Sequence, residues 1–181
     1  MFDNLPPGLE VEVIEGFGGQ ILGTGQYIGQ IIRDGKVIDE FETKNLVVNQ
    51  GLNYLLGAAL GGQTVITSWY IGLFSGNYTV LATDTASNIA SASTEVTAYT
   101  AGARQAWTSA APSGQAITNS ASQASFTFNG SVTVYGGFLI SSATISGTGG
   151  TLFSGAQFGA SKSVVSGDQL LLTYTYSAAS A

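Results

Sequence analysis

Three carboxylates are available for chemistry in the body of this chain: Asp84, Glu95 and Asp168. Asp84 and Glu95 are the one pair close in sequence, and two carboxylates are the minimum equipment for glycoside hydrolysis. The same two acids lie near Arg104, however, and are better read as a structural ion pair pinning a long loop. Asp168 stands in Ser166-Gly167-Asp168-Gln169, where a Gly-Asp step ahead of a strand is ordinary turn chemistry. The chain has no His and no Cys. It therefore lacks the commonest general base, thiolate nucleophiles, disulfides and the usual transition-metal ligands. Calcium needs several clustered oxygen donors, and no acid-rich loop of that spacing occurs. The expectation is a protein without catalytic residues, metal or cofactor.

Trp107, Arg104, Tyr99 and Tyr78 could form a platform for sugar rings, since aromatic faces stack on them. The competing reading makes Trp69 and Trp107 anchors of a core or an interface, the role in which large aromatics bury most area. We expect the second, with Trp69, Glu95, Arg104 and Trp107 as structural residues.

Charge is distributed very unevenly. The first 42 residues hold eight acids (Asp3, Glu10, Glu12, Glu15, Asp34, Asp39, Glu40, Glu42) against Arg33 and Lys36, which accounts for the whole net charge of −6. The rest of the chain carries three acids and three bases, far below the roughly one quarter charged that is usual for a soluble domain. Such a body fits a protein whose surface is covered by other protein. Nucleic acid is excluded as a partner, because phosphate binding needs clustered Lys and Arg. No apolar run reaches the about 18 residues of a membrane helix, so no membrane partner is expected. The start, Met1-Phe2-Asp3, has an acid where a signal peptide has bases.

Two parts are expected along the chain. Residues 1–25 combine Pro6-Pro7 with glycines at a density that is costly to order without a partner surface, around one alternating stretch, Leu9 to Ile14; they read as an acidic, Gly-rich arm. Residues 26–181 read as the folded domain. Asp34-Gly35 between two β-rich runs, from Tyr27 and to Phe41, is a type I′ hairpin signal. A short strand at Leu46-Val47-Val48 leads to one helix, which Asn49 can cap. Its apolar stripe is Leu52, Leu55, Leu56, Ala59 and Leu60, and Gly61-Gly62 can end it. Strands follow at 68–74, 124–128, 132–140, 152–153 and 170–176. Residues 77–119 form a Ser/Thr/Ala-rich stretch with few signals, expected to be a long loop offering a contact surface. The implied fold is all-β, a jelly-roll-like antiparallel β-sandwich with one short helix and an extended N-terminal arm.

The order of motifs resembles the capsid decoration (cement) and small virion structural proteins of tailed bacteriophages. The resemblance runs over roughly residues 30–176. Its first motifs are Arg33-Asp34-Gly35-Lys36-Val37, Lys44-Asn45-Leu46-Val47 and Gly51-Leu52-Asn53-Tyr54-Leu55-Leu56. They are followed by Trp69-Tyr70-Ile71-Gly72-Leu73, Asp84-Thr85, Glu95-Val96-Thr97-Ala98-Tyr99 and Arg104-Gln105-Ala106-Trp107. The series closes with Phe126-Thr127-Phe128, Gly137-Phe138-Leu139 and Gly167-Asp168. The resemblance implies a non-enzymatic virion protein, made in the host cytoplasm and bound to the outer surface of the head, whose partner is the major capsid protein. A homo-oligomer, trimer or dimer, is expected on the capsid. The candidate capsid- or partner-binding residues are Leu9, Val11, Val13, Ile14 and Phe17 of the arm, with Tyr27 and Ile28 at the hairpin edge. The alternative is a tail or baseplate component with a receptor- or glycan-binding sandwich.

Overall fold

A computed structural model describes residues 21–180. Leu9, Val11, Val13, Ile14 and Phe17 lie outside the described residues.

The hairpin forms as its turn chemistry requires. Strands β1 (Ile21–Arg33) and β2 (Lys36–Lys44) are joined by Asp34 and Gly35, both with positive φ, the backbone that a type I′ turn demands. β1 begins at Ile21, five residues before the expected domain boundary, because it pairs with the last strand, β10 (Gln169–Ser180), over nearly its whole length, from Ile21 opposite Ser180 to Ile32 opposite Gln169. Gly23 and Gly25 therefore belong to a strand. Tyr176 lies over Gly23, and Asn45 and Tyr174 over Gly25, where Cβ atoms would otherwise stand.

β6 (Ala116–Thr118) and β7 (Ala124–Thr127) also pair with β10, which gives one antiparallel sheet of five strands among the described residues. The second sheet has the order β3-β9-β8-β4-β5, from β3 (Leu46–Val47), β4 (Tyr70–Phe74), β5 (Gln105–Ala106), β8 (Val132–Ile140) and β9 (Leu152–Val164). The connections β2–β3, β5–β6, β7–β8 and β9–β10 each pass from one sheet to the other, giving the jelly-roll-like antiparallel sandwich the sequence implies. β9 is much longer than the two residues legible in advance, since its small residues Gly155, Ala156, Gly159 and Ala160 mask the strand pattern.

Between the sheets lies the main core, built on Tyr27, Ile31, Ile71, Leu73, Phe126, Leu139, Leu170, Leu172 and Tyr174. A second buried cluster, Val48, Phe74, Val80, Ala86, Ile89, Phe138, Ile140 and Leu152, covers the opposite side of the second sheet. It explains a departure from expectation. The stretch 77–119 is not a free surface loop, because Val80, Ala86 and Ile89 are buried, a short helix α2 (Ile89–Ala92) forms within it, and β5 and β6 come from it. With both faces covered, β4 and the end of β8 are buried almost continuously. Gly72 faces Phe138 and Gly136 faces Phe74 directly across the ladder, each ring lying where a Cβ would stand. The two glycines let two phenylalanines lie flat on the sheet beneath that stretch.

Helix α1 (Asn49–Ala59) packs on β9, with Val48 rather than Asn49 as its N-cap residue and no side-chain capping bond. The expected stripe, Leu55 excepted, is turned outward. Gly51 and Tyr54 are buried and Leu55 and Ala58 half-buried, whereas Leu52, Leu56 and Leu60 are 44 %, 61 % and 85 % exposed. Both sets have helical spacing. Burial is decided by Gly51, whose missing side chain lets the helix rest directly on the backbone of Phe153.

Candidate functional site

The three body carboxylates are each consumed by the fold, at three separate places. Glu95 and Arg104 form a fully buried, bidentate pair: Arg104 Nε donates to Glu95 Oε1 at 2.7 Å and Nη2 to Oε2 at 2.9 Å. Two further guanidinium hydrogens go to the carbonyls of Ser142, 3.0 Å, and Gly147, 3.3 Å, while the Ser146 N–H donates to Glu95 Oε2 at 2.7 Å. The guanidinium also lies over the Phe138 ring, 5.2 Å from its centre. The pair thus ties the loop after β8 to the long stretch over the second sheet, the pinning role expected of Glu95 and Arg104.

Asp84 is no part of that pair. It is buried and accepts from Tyr78 Oη at 2.8 Å, the Leu81 N–H at 2.8 Å and Asn88 Nδ2 at 3.3 Å. Burial, and then the bond to Asp84, push the Tyr78 hydroxyl up to about 12. Asp84 and Glu95 therefore have separate partners, and their bonds are those of structural groups.

Asp168 closes the β9–β10 turn by accepting from the Val165 N–H at 2.8 Å, and it is gripped by Arg33 Nε and Nη2 at 2.8 and 2.6 Å. The bond from Arg33 holds the Asp168 carboxyl below the ordinary carboxylate range, against the opposing effect of burial. An unfolded Asp titrates near about 3.9. A lowered folded value means that the stabilisation is complete above that pH and lost as pH falls through the folded value. Asp168→Asn is accordingly expected to lower Tm at neutral pH, with the gap to the unmodified protein narrowing as the medium is acidified past the carboxylate range. A gap of constant size in a pH series of melting curves would contradict the assignment.

The aromatic platform is not assembled. Arg104 and Tyr99 are buried, and Tyr78 is half-buried and turned to Asp84. Trp69 and Trp107 act as anchors. Trp69 packs edge-on to Tyr54 and Phe153 at 5.3 and 5.7 Å, and Trp107 to Tyr174 at 5.9 Å, with its Nε1 donating to the Tyr174 carbonyl at 3.0 Å.

Tyr27 is not at a docking edge. It alternates inward, wholly buried with its ring 4.7 Å from Tyr174, on a strand that runs between β2 and β10, so that of the hairpin's two strands only β2 lies at the edge of the sheet among the described residues. Ile28 does point outward, 43 % exposed, beside the cross-strand bonds from Gln26 to Glu42 and Gln30 to Glu40. Among the described residues β2 is an edge strand, and its exposed residues include Lys36, Glu40, Glu42 and Lys44, charges that oppose strand addition.

The apolar surface that sequence reasoning assigned to the interior is the outer face of α1. Leu52, Leu56 and Leu60 stand one helical turn apart, and Val65, 61 % exposed, follows on the next segment. The signal that would have found this face was Gly51 together with Tyr54, Leu55 and Ala58, an equally regular stripe that includes a residue without a side chain. Among the described residues, no group of three or more acids, His or Cys could hold a metal ion, and no helix is long and apolar enough to cross a membrane.

Comparison with protein-family models and with curated proteins finds no match to this chain.

Proposed function

We propose that this chain is a structural protein of a bacteriophage virion, a decoration protein that binds the outer surface of the head and bridges neighbouring major capsid protein subunits. The observation that carries the reading is the row of exposed leucines on α1, set on a body with very few charges. Burying a leucine contributes about 1.5–3 kcal/mol. A face of three can hold a subunit on a shell whose symmetry repeats the contact many times. The surrounding surface of Ser, Thr and Asn carries little ionic desolvation cost. The resemblance of the motif order to that of phage cement proteins is in keeping with the same reading, as is the use of all three body carboxylates in structural bonds.

Leu56→Glu is expected to abolish binding to capsids lacking the protein while leaving Tm within a few degrees of the unmodified value, since Leu56 is exposed in the free domain. Co-sedimentation with such capsids checks it. A variant that is folded and still binds at full stoichiometry would remove α1 as the docking face.

A further inference from the structure

The two tryptophans of the chain meet at one place. A cavity of about 130 Å³ opens between α1 and the end of the sandwich; its floor is Leu139 and Tyr174, and its walls include Leu55, Trp69, Trp107 and Ile117. The floor is buried and these wall residues are half-buried, so the space is reached from the rim. Polar groups of the lining are engaged or lie elsewhere: the Ile66 N–H donates to Tyr54 Oη at 2.9 Å, Trp107 Nε1 donates to a backbone carbonyl, Tyr174 Oη accepts from Asn45 at 2.9 Å, and the Tyr176 hydroxyl lies over Gly23. Packed interiors leave few voids larger than a water molecule. This one is open at its rim, and with its apolar lining it has room for a benzene-sized guest, the size that engineered apolar cavities of about 150 Å³ hold.

We infer that this cavity is a binding site for one small uncharged aromatic or alicyclic ring, a property separate from attachment to a capsid. Flat aromatic walls suit edge-to-face and offset contact with such a ring. The lining is almost wholly apolar and uncharged, so it offers neither a counter-charge to an ion nor hydrogen-bonding partners to the hydroxyls of a sugar.

Trp69 and Trp107 are the only tryptophans, and their fluorescence reports on this cavity and on an adjoining cleft that the same two rings share with Thr67, Ser68, Thr108 and Ser109; the cleft is polar and does not take toluene, so quenching that toluene reverses belongs to the cavity. Titration of the full chain with bromobenzene, a heavy-atom quencher, is expected to give saturable quenching that toluene, which does not quench, reverses by competition. Ile117→Phe, which fills the space with its own ring, is expected to reduce the saturable component at least tenfold in apparent affinity. Quenching that rises linearly, as for N-acetyltryptophanamide in free solution, would overturn the inference. So would saturable quenching that toluene does not reverse. The toluene competition is made on the unmodified protein and decides the matter even if Ile117→Phe does not fold.

Discussion

Glu95→Gln is expected to cost about 3–5 kcal/mol of stability, the range found when one partner of a buried ion pair is removed. The substitution preserves the shape of the side chain and removes its charge, so Arg104 is left buried with neutral acceptors only. Both side chains are essentially inaccessible to solvent, and no rearrangement short of opening the loop after β8 would hydrate the guanidinium. Exchanging both residues for apolar ones of similar volume should cost much less than the sum of the single changes, because a buried pair is strongly coupled but contributes little net stability over a packed apolar replacement. Chemical denaturation of the two single variants and the double variant checks this. Near-additive losses would mean that the pair does not act as a unit.

Gly51→Ala is expected to destabilise the domain by about 3 kcal/mol, at the upper end of the cost of overpacking. Helix propensity argues the other way, since Ala is better than Gly within a helix by about 1 kcal/mol. The packing term wins because the added methyl would meet the carbonyl and Cα of Phe153, which are backbone atoms of β9 and cannot turn aside. α1 must lift or rotate to admit it, and both the leucine face and the cavity beneath Leu55 depend on its seat. The variant should therefore lose bromobenzene binding along with stability. A rise in Tm would show that helix propensity outweighs contact at this position and that α1 is not tightly docked.

The fold class was legible because its local signals do not depend on tertiary contacts. Asp34-Gly35 dictates a hairpin wherever it stands, and the alternation in 170–176 marks a strand whichever sheet receives it. The pinning role of Glu95 and Arg104 was equally accessible: ions so scarce in the body must pair if buried. What failed depended on the environment of both faces of an element. The leucines of α1 satisfy helical periodicity, yet periodicity does not say which of two stripes is covered; the backbone of Phe153 settles that through Gly51. Strand β9 was hidden by its own small residues, among them Gly155, which leaves room for the Val80 side chain. The buried part of 77–119 was missed for a similar reason. Its apolar residues are spaced irregularly, since they cover a sheet as a coil and have no period to display. Tyr27 was mistaken for an edge residue because pairing of β1 with the chain's last strand is invisible from the hairpin alone.

The central claim is attachment to a viral head. Its most direct test is the number of copies of this protein relative to the major capsid protein in purified virions that encode it, measured by quantitative mass spectrometry. The account predicts a copy number in fixed proportion to the symmetry-repeated sites of the shell. A protein absent from the particle, or present only at the few copies of a tail structure, would contradict it.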